Sequence, residues 1–358
     1  MKNHHLTDDT TCREILVERR PLRDRDGNPV DGLVNHWISL NNPKQLNSYT
    51  TDALKEIIMA VRAASCDRSA VAVILSGTGE RAFCTGGNTK EYAEYYSGNP
   101  QEYKQYMRLF NDAVTGILMC DKPVINRVNG MRIAGGQELG MACDYTIAVD
   151  TAVFGQAGPK HGSAPDGGST DFLHLYVGIN HAIESCTLCE LWSAPQAVRM
   201  GLINRIVPVL KRNGAYIPSP FVRRDECDEW GNPVYGRLKT GREREDAVKT
   251  ASECTADLTR LDEEVERFAY ALALTMPDCL AKTLESLRKK KLEHWQQNCE
   301  TNRSWLALNM MTEAKAGFKA FNEGPKNHRE VDFIALRRAL AAGTPWTDEL
   351  VASIMPRE

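Results

Sequence analysis

Residues 71–75, Val-Ala-Val-Ile-Leu, are apolar without alternation, and a glycine turn follows at Ser76-Gly77-Thr78-Gly79. A strand apolar at every position must be covered on both faces, as a strand inside a parallel sheet is. Parallel neighbours need crossover connections, so this run calls for helices on either side of it. The pattern supplies them. Thr51-Asp52 opens a helix whose Leu54, Ile57, Ile58 and Val61 share one face, and Met107–Met119 reads as a second. Pro123–Val128 and Tyr145–Val149 read as further strands. Ile15–Arg19 and Val34–Leu40 form a hairpin around the turn-rich 24–29 segment. The order strand, helix, strand, helix, strand predicts an α/β architecture with a mainly parallel sheet.

Further along, His181–Trp192 reads as a helix, followed by Pro195–Met200 and a short strand at Leu202–Val207. Lys211 to Ala251 then carries seven glycines and prolines among many charges. It is too long for an ordinary connection and reads as an insertion with a functional or interfacial role, the alternative being a solvated loop. From Ser252 the chain turns helical, with Leu258, Leu261, Val265, Phe268 and Leu272 as an apolar stripe that Met276-Pro277 interrupts. The expected organisation is a core over 1–207, an insertion over 208–251 and a helical region over 252–358.

A net charge of −3 gives no electrostatic case for nucleic acid. The N-terminal MKNHHLTDDTT has no apolar export core, and no run reaches membrane-spanning length. Eleven scattered cysteines, an odd number set in apolar segments, fit a reduced cytoplasmic setting. Cys186-Thr187-Leu188-Cys189 lies in a helical pattern without a second pair, so core packing is expected rather than metal or redox use. Lys289-Lys290-Lys291 reads as a solvated helix face, with a CoA phosphate contact as the lesser reading.

Two glycine turns follow successive strands, and open α/β sheets bind ligands at such carboxyl ends. The first, Gly77-Thr78-Gly79-Glu80-Arg81-Ala82, matches a dinucleotide fingerprint but has no helix after it to receive a pyrophosphate. The second, in Val128–Asp144, passes through Ala134-Gly135-Gly136 into a helix with Glu138 in its first turn. A free N–H at such a helix start can hold an oxyanion while the carboxylate moves protons. The plainer reading is a strand-to-helix turn with a dipole-favoured glutamate. A third glycine-rich stretch, Phe154–Thr170, carries His161 and Asp166 on a stiff loop; either could also be structural.

The segments Asn42–Asn47, Ala82–Asn88, Lys122–Ile125 with Asn129-Gly130, Gly135–Glu138, Phe154–Gln156 and Ala197–Ile203 together resemble the crotonase (enoyl-CoA hydratase/isomerase) superfamily. That resemblance implies a spiral ββα core with a C-terminal helical region, acting on an acyl-CoA thioester. It implies that the N–H groups of Gly87 and Gly135 form an oxyanion hole and that Glu138 is the first proton-carrying glutamate. The second glutamate of family hydratases would fall on Gly158, which has no side chain. Asp166 sits where members with other chemistries place a working aspartate, and His161 is a third candidate. Lys44, Leu46, Thr85, Gly86 and Asn88 would contact CoA, with Phe321 and Lys326 arriving from a neighbouring subunit of a homotrimer or dimer of trimers. Asn88 and Ala134 replace a more usual Asp and Gly. No metal is expected, nor a cofactor beyond the CoA of the substrate. The missing glutamate, Asp166 with His161 and the insertion resemble those members that use two waters to open a ketonic ring in anaerobic aromatic degradation. Simple enoyl-CoA hydration and thioester hydrolysis are the near alternatives; a non-catalytic binder of CoA esters or RNA is the distant one.

Overall fold

A computed structural model describes residues 12–356, so the polar segment 1–11 lies outside the described residues. Strands β1 (Ile15–Arg23) and β2 (Pro29–Leu40) pair antiparallel, with Ile15 opposite Leu40. Asp24 closes their turn, its Oδ1 accepting from the Asp26 and Asn28 N–H groups at 2.9 and 2.8 Å. Helix α1 (Thr51–Cys66) starts on the Thr50 hydroxyl, which accepts from the Ala53 N–H at 3.1 Å, and buries Leu54, Ile57 and Val61. Strand β3 (Ala70–Gly77), which contains the apolar run, lies parallel between β2 and β5 (Val124–Val128).

The chain then winds as a spiral of strand pairs. Each turn sends one strand into a large sheet and the next into a small one: β3 with β4 (Ala82–Cys84), β5 with β6 (Met131–Ile133), and β7 (Tyr145–Val149) with β8 (Val153–Gly155). Helices follow each pair: α2 (Thr89–Glu91) and α3 (Pro100–Leu118), then α4 (Gly135–Ala142), then α5 (Ser169–Val177) and α6 (Ile179–Leu188). A last turn adds β9 (Trp192–Ser193), α7 (Ala194–Arg199) and β10 (Arg205–Val207). The large sheet runs β1-β2-β3-β5-β7-β10 and the small one β4-β6-β8-β9. Residues 76–88, which the sequence presents as a single turn, therefore contain a strand. Three residues are too few to show a period, so β4, β6 and β8 leave no pattern. No helix follows the 77–82 fingerprint; β4 does.

Buried amides tie the layers. The Asn47 Nδ2 donates to the Thr78 and Ala82 carbonyls, and the Asn129 Nδ2 to those of Gly79 and Ala82. Arg132, fully buried, donates to Gln137, Asn126 and Thr146.

The 208–251 segment read as an insertion has secondary structure of its own. Strands β11 (Leu210–Arg212), β12 (Ala215–Ile217) and β13 (Thr255–Ala256) form a small sheet, and α8 (Gly241–Ser252) begins eleven residues before the sequence reads as helical. Buried Asp150 fastens it to the core by accepting from the Ser219 N–H at 2.7 Å. After it come α9 (Thr259–Ala273), α10 (Pro277–Asn309), α11 (Glu313–Glu323), α12 (Phe333–Ala341) and α13 (Asp348–Ile354). On α9, Leu261 and Val265 are buried as the stripe requires. Helix α10 is clamped to its own core. The buried Arg288 guanidinium forms a fork with the Asp144 carboxylate at 2.7 and 2.5 Å and donates to the Lys122 carbonyl at 2.9 Å. The lysine run is not uniformly solvated. Lys291 is half-buried and donates to the Met141 and Cys143 carbonyls at the end of α4, where a cation complements the helix dipole. Cys186 packs against the core and Cys189, a free thiol, ends α6 in left-handed backbone.

Candidate active site

A cleft of about 610 Å³ opens where the glycine turns after β4 and β6 meet the loop after β8 and helix α11. Gly87, Gly135 and Glu138 all line it. The two turns touch, since a Cβ on Gly86 would lie 3.2 Å from the Gly135 nitrogen. The Gly86 carbonyl and the Asn88 N–H bracket Tyr49 in a two-residue bridge, with bonds of 3.0 and 2.9 Å, and the Gly87 N–H between them takes no part in it. Gly135 is the first residue of α4, so its N–H has no partner within the helix. Ala134 just before it holds φ +53°, ψ −128°, a conformation that suits glycine and marks stored strain at this turn.

Glu138 is buried between the core and the 163–169 loop, with 6% of it exposed where it lines the cleft. Burial pushes its carboxyl up to about 8, with the Asp166 charge adding to the rise, while the Gly167 and Ser169 N–H groups, donating at 3.0 and 3.4 Å, pull the other way. A carboxyl so placed is a proton donor near neutral pH. Gly158 lines the cleft, and a Cβ there would lie 2.2 Å from the Ser163 carbonyl oxygen. The loop folds onto the place where a second glutamate would start, so its backbone excludes one.

Asp166 is placed between the cleft-lining residues Pro165 and Gly167 but does not line the cleft itself; its Oδ1 accepts from the Thr170 hydroxyl at 2.9 Å, and burial raises its carboxyl. His161 lines the cleft, edge-on to Phe321 at 4.9 Å between ring centres, with its Nδ1 buried and unpartnered. Burial lowers its affinity for a second proton. Of the residues expected to contact CoA, Lys44, Leu46, Thr85 and Phe321 line the cleft, whereas Gly86 and Asn88 do not. Asn88 is used otherwise, its Oδ1 capping α2 at Lys90 and Glu91 and its Nδ2 donating to Gln45 at 3.0 Å. Phe321 reaches this cleft from the same chain, because α11 packs over the Gly158–His161 turn: a Cβ on Gly317 would meet the His161 carbonyl at 2.3 Å. Within the single chain this aromatic is therefore already supplied to its own cleft. Lys326 is exposed and outside the lining, while Arg329, over the Phe321 ring at 5.5 Å, is within it.

The lining also includes groups that the sequence reading passed over: Arg81 and Lys90, and an aromatic wall of Tyr49, Tyr92, Tyr103 and Phe110. Tyr103, Tyr106 and Phe110 recur at helical spacing, which marks a buried face without distinguishing a site from a core. No residue of the 208–251 segment contributes to this lining.

A family model described as enoyl-CoA hydratase/isomerase matches residues 36–213. A 6-oxocyclohex-1-ene-1-carbonyl-CoA hydrolase of Thauera aromatica is 56% identical over 356 residues, covering 99% of this chain and 94% of that protein. The chain belongs to the crotonase, or enoyl-CoA hydratase/isomerase, family. A protein of the same description from Geobacter metallireducens is also 56% identical, over 99% of this chain and 95% of its own length. The crystal structure of an enoyl-CoA hydratase/isomerase from Xanthobacter autotrophicus Py2 shares the fold with a TM-score of 0.64 at 25% identity, covering 93% of this chain and 97% of that one. The crotonase fold thus accounts for the spiral, and the α/β core with its C-terminal helices is the architecture expected from the resemblance.

Proposed function

We propose that this crotonase-family enzyme opens the ring of 6-oxocyclohex-1-ene-1-carbonyl-CoA with two waters, giving 3-hydroxypimeloyl-CoA. The observation that carries the reading is the near full-length identity to hydrolases of that description, on a site whose position 158 has no room for a second glutamate. In the proposed sequence, water adds at the β-carbon and the thioester oxygen takes negative charge, which the Gly87 and Gly135 N–H groups hold; losing one such donor typically costs about 10²–10³ in rate. A second water attacks the ring ketone. The bond between ketone carbon and α-carbon then breaks, and its electron pair returns to the same thioester enolate. Glu138, protonated near neutral pH, delivers a proton to the α-carbon, and Asp166 takes one from water. His161, half-buried with its Nδ1 enclosed, is the third proton carrier.

The cations Lys44, Arg81, Lys90 and Arg329 are assigned to the CoA phosphates, and the backbone of Leu46 and Thr85 to its adenine end. The reaction needs no metal and no cofactor beyond the substrate's CoA. A homotrimer or dimer of trimers in the cytoplasm is proposed with it, and sedimentation at dilute concentration checks the assembly. The deciding experiment is incubation with the cyclic ester followed by mass analysis. Ring opening adds two waters, simple hydration adds one, and thioester cleavage frees a thiol; only the first outcome fits. Asp166→Asn is expected to lower turnover by about 10²–10⁴ while CoA-ester binding persists. Near-normal ring opening by that variant removes Asp166 from the mechanism.

A further inference from the structure

Ring opening develops two oxyanions, and the paired backbone donors serve one of them. When water attacks the ring ketone, its oxygen becomes an alkoxide that also needs a donor in a cleft with little water. In the proposed substrate the ketone carbon is bonded to the carbon bearing the thioester. With both carbonyls turned to the same side, its oxygen comes close to the thioester oxygen, beside the Gly87 and Gly135 turns.

One side chain is built across both turns. The Tyr49 backbone is bridged to Gly86 and Asn88, and its hydroxyl lies 1.9 Å from where a Cβ on Gly135 would stand. The contact explains why residue 135 must lack a side chain. The ring is 3% exposed and stacked on Phe110 at 5.6 Å between centroids, so the hydroxyl is held rather than swinging. It belongs to the cleft lining with Glu138, and among the described residues nothing hydrogen-bonds to it. A second hydroxyl, that of Tyr92, sits 1.7 Å from the place of a Gly87 Cβ, but it is paired with the Tyr106 hydroxyl at 2.8 Å. Tyr49 is therefore the uncommitted donor of the two.

We infer that Tyr49 is a catalytic residue whose hydroxyl donates to the ring-ketone oxygen of a cyclic β-keto acyl-CoA thioester. The inference rests on the ring-opening reading above. In the step, the water oxygen bonds to the ketone carbon, the water proton passes to a carboxylate, and the carbonyl electron pair moves to the oxygen held by Tyr49. That pair then re-forms the carbonyl as the carbon–carbon bond breaks, leaving a carboxylic acid and a thioester enolate that takes up one proton. Burial, chiefly, and the neighbouring Tyr92 and Glu138 hold the phenol far above its ordinary range, so it remains a donor throughout.

The test is Tyr49→Phe, followed by mass analysis during turnover. The one-water adduct, still cyclic, should accumulate while the two-water product forms about 10²–10³-fold more slowly. A two-water product formed at the wild-type rate overturns the assignment, as does an equal slowing of both steps, which is what a merely structural wall would give. A second protein with 3-fluorotyrosine at position 49, of nearly the same shape and a stronger donor, should open the ring at least as fast as wild type; slower opening also overturns it. Wild-type enzyme that forms no two-water product sinks the functional reading itself, whereas normal wild-type opening with an unaffected Tyr49→Phe variant sinks the Tyr49 role alone.

Discussion

Glu138→Gln should make the protein more stable at alkaline pH while abolishing turnover. The substitution is nearly isosteric, and an amide oxygen can still accept from Gly167 and Ser169. In the wild type, burial lifts the carboxyl from 4.5 to about 8. The folded state therefore binds this proton more tightly than the unfolded chain does. Its contribution is fully present below about pH 4.5 and is lost as pH rises through about 8. At about 1.4 kcal/mol for each tenfold change, the wild type loses up to about 4 kcal/mol between pH 5 and pH 8.5 that the glutamine variant keeps. Urea unfolding of both proteins at those two pH values reads the difference. Near-equality at pH 5 and a gap of a few kcal/mol at pH 8.5 are expected. A gap that does not change with pH would falsify the buried, proton-holding Glu138 on which the acid role depends.

Arg288→Met leaves the Asp144 carboxylate buried without its partner, which should cost about 3–5 kcal/mol in urea unfolding. Adding Asp144→Leu should recover part of the loss; no recovery would show that the fork is not what clamps α10. Ala134→Gly relieves a strained turn worth about 1–3 kcal/mol, less about 0.5–1 kcal/mol for the extra freedom of glycine in the unfolded chain. Thermal unfolding should show equal or raised stability with turnover retained, and a clear loss of stability would refute the strain.

The local sequence determined a good part of this protein. The unbroken apolar run at 71–75 sets a parallel sheet, because its pattern records covering on both faces. The turn at 135–136, with Glu138 in the helix's first turn, sets a free N–H and a carboxyl in one short stretch, because helix-start chemistry acts within a few residues; Gly87 as a second donor came from the family resemblance. Set beside the family pattern, Gly158 shows that a second glutamate is missing. Tertiary structure alone decided the rest. The strands β4, β6 and β8 are each three residues long and exist only as partners within the small sheet. Whether Lys326 or Arg329 enters the cleft depends on how the segment after α11 runs, not on the character of either cation. Lys291 capping α4 across 148 residues of chain and Tyr49 against Gly135 are side-chain meetings set by how the spiral closes. A single residue's type leaves such meetings open. Tyr49 in the sequence is one aromatic among many; only the closing of the spiral brings its hydroxyl against a glycine 86 residues away.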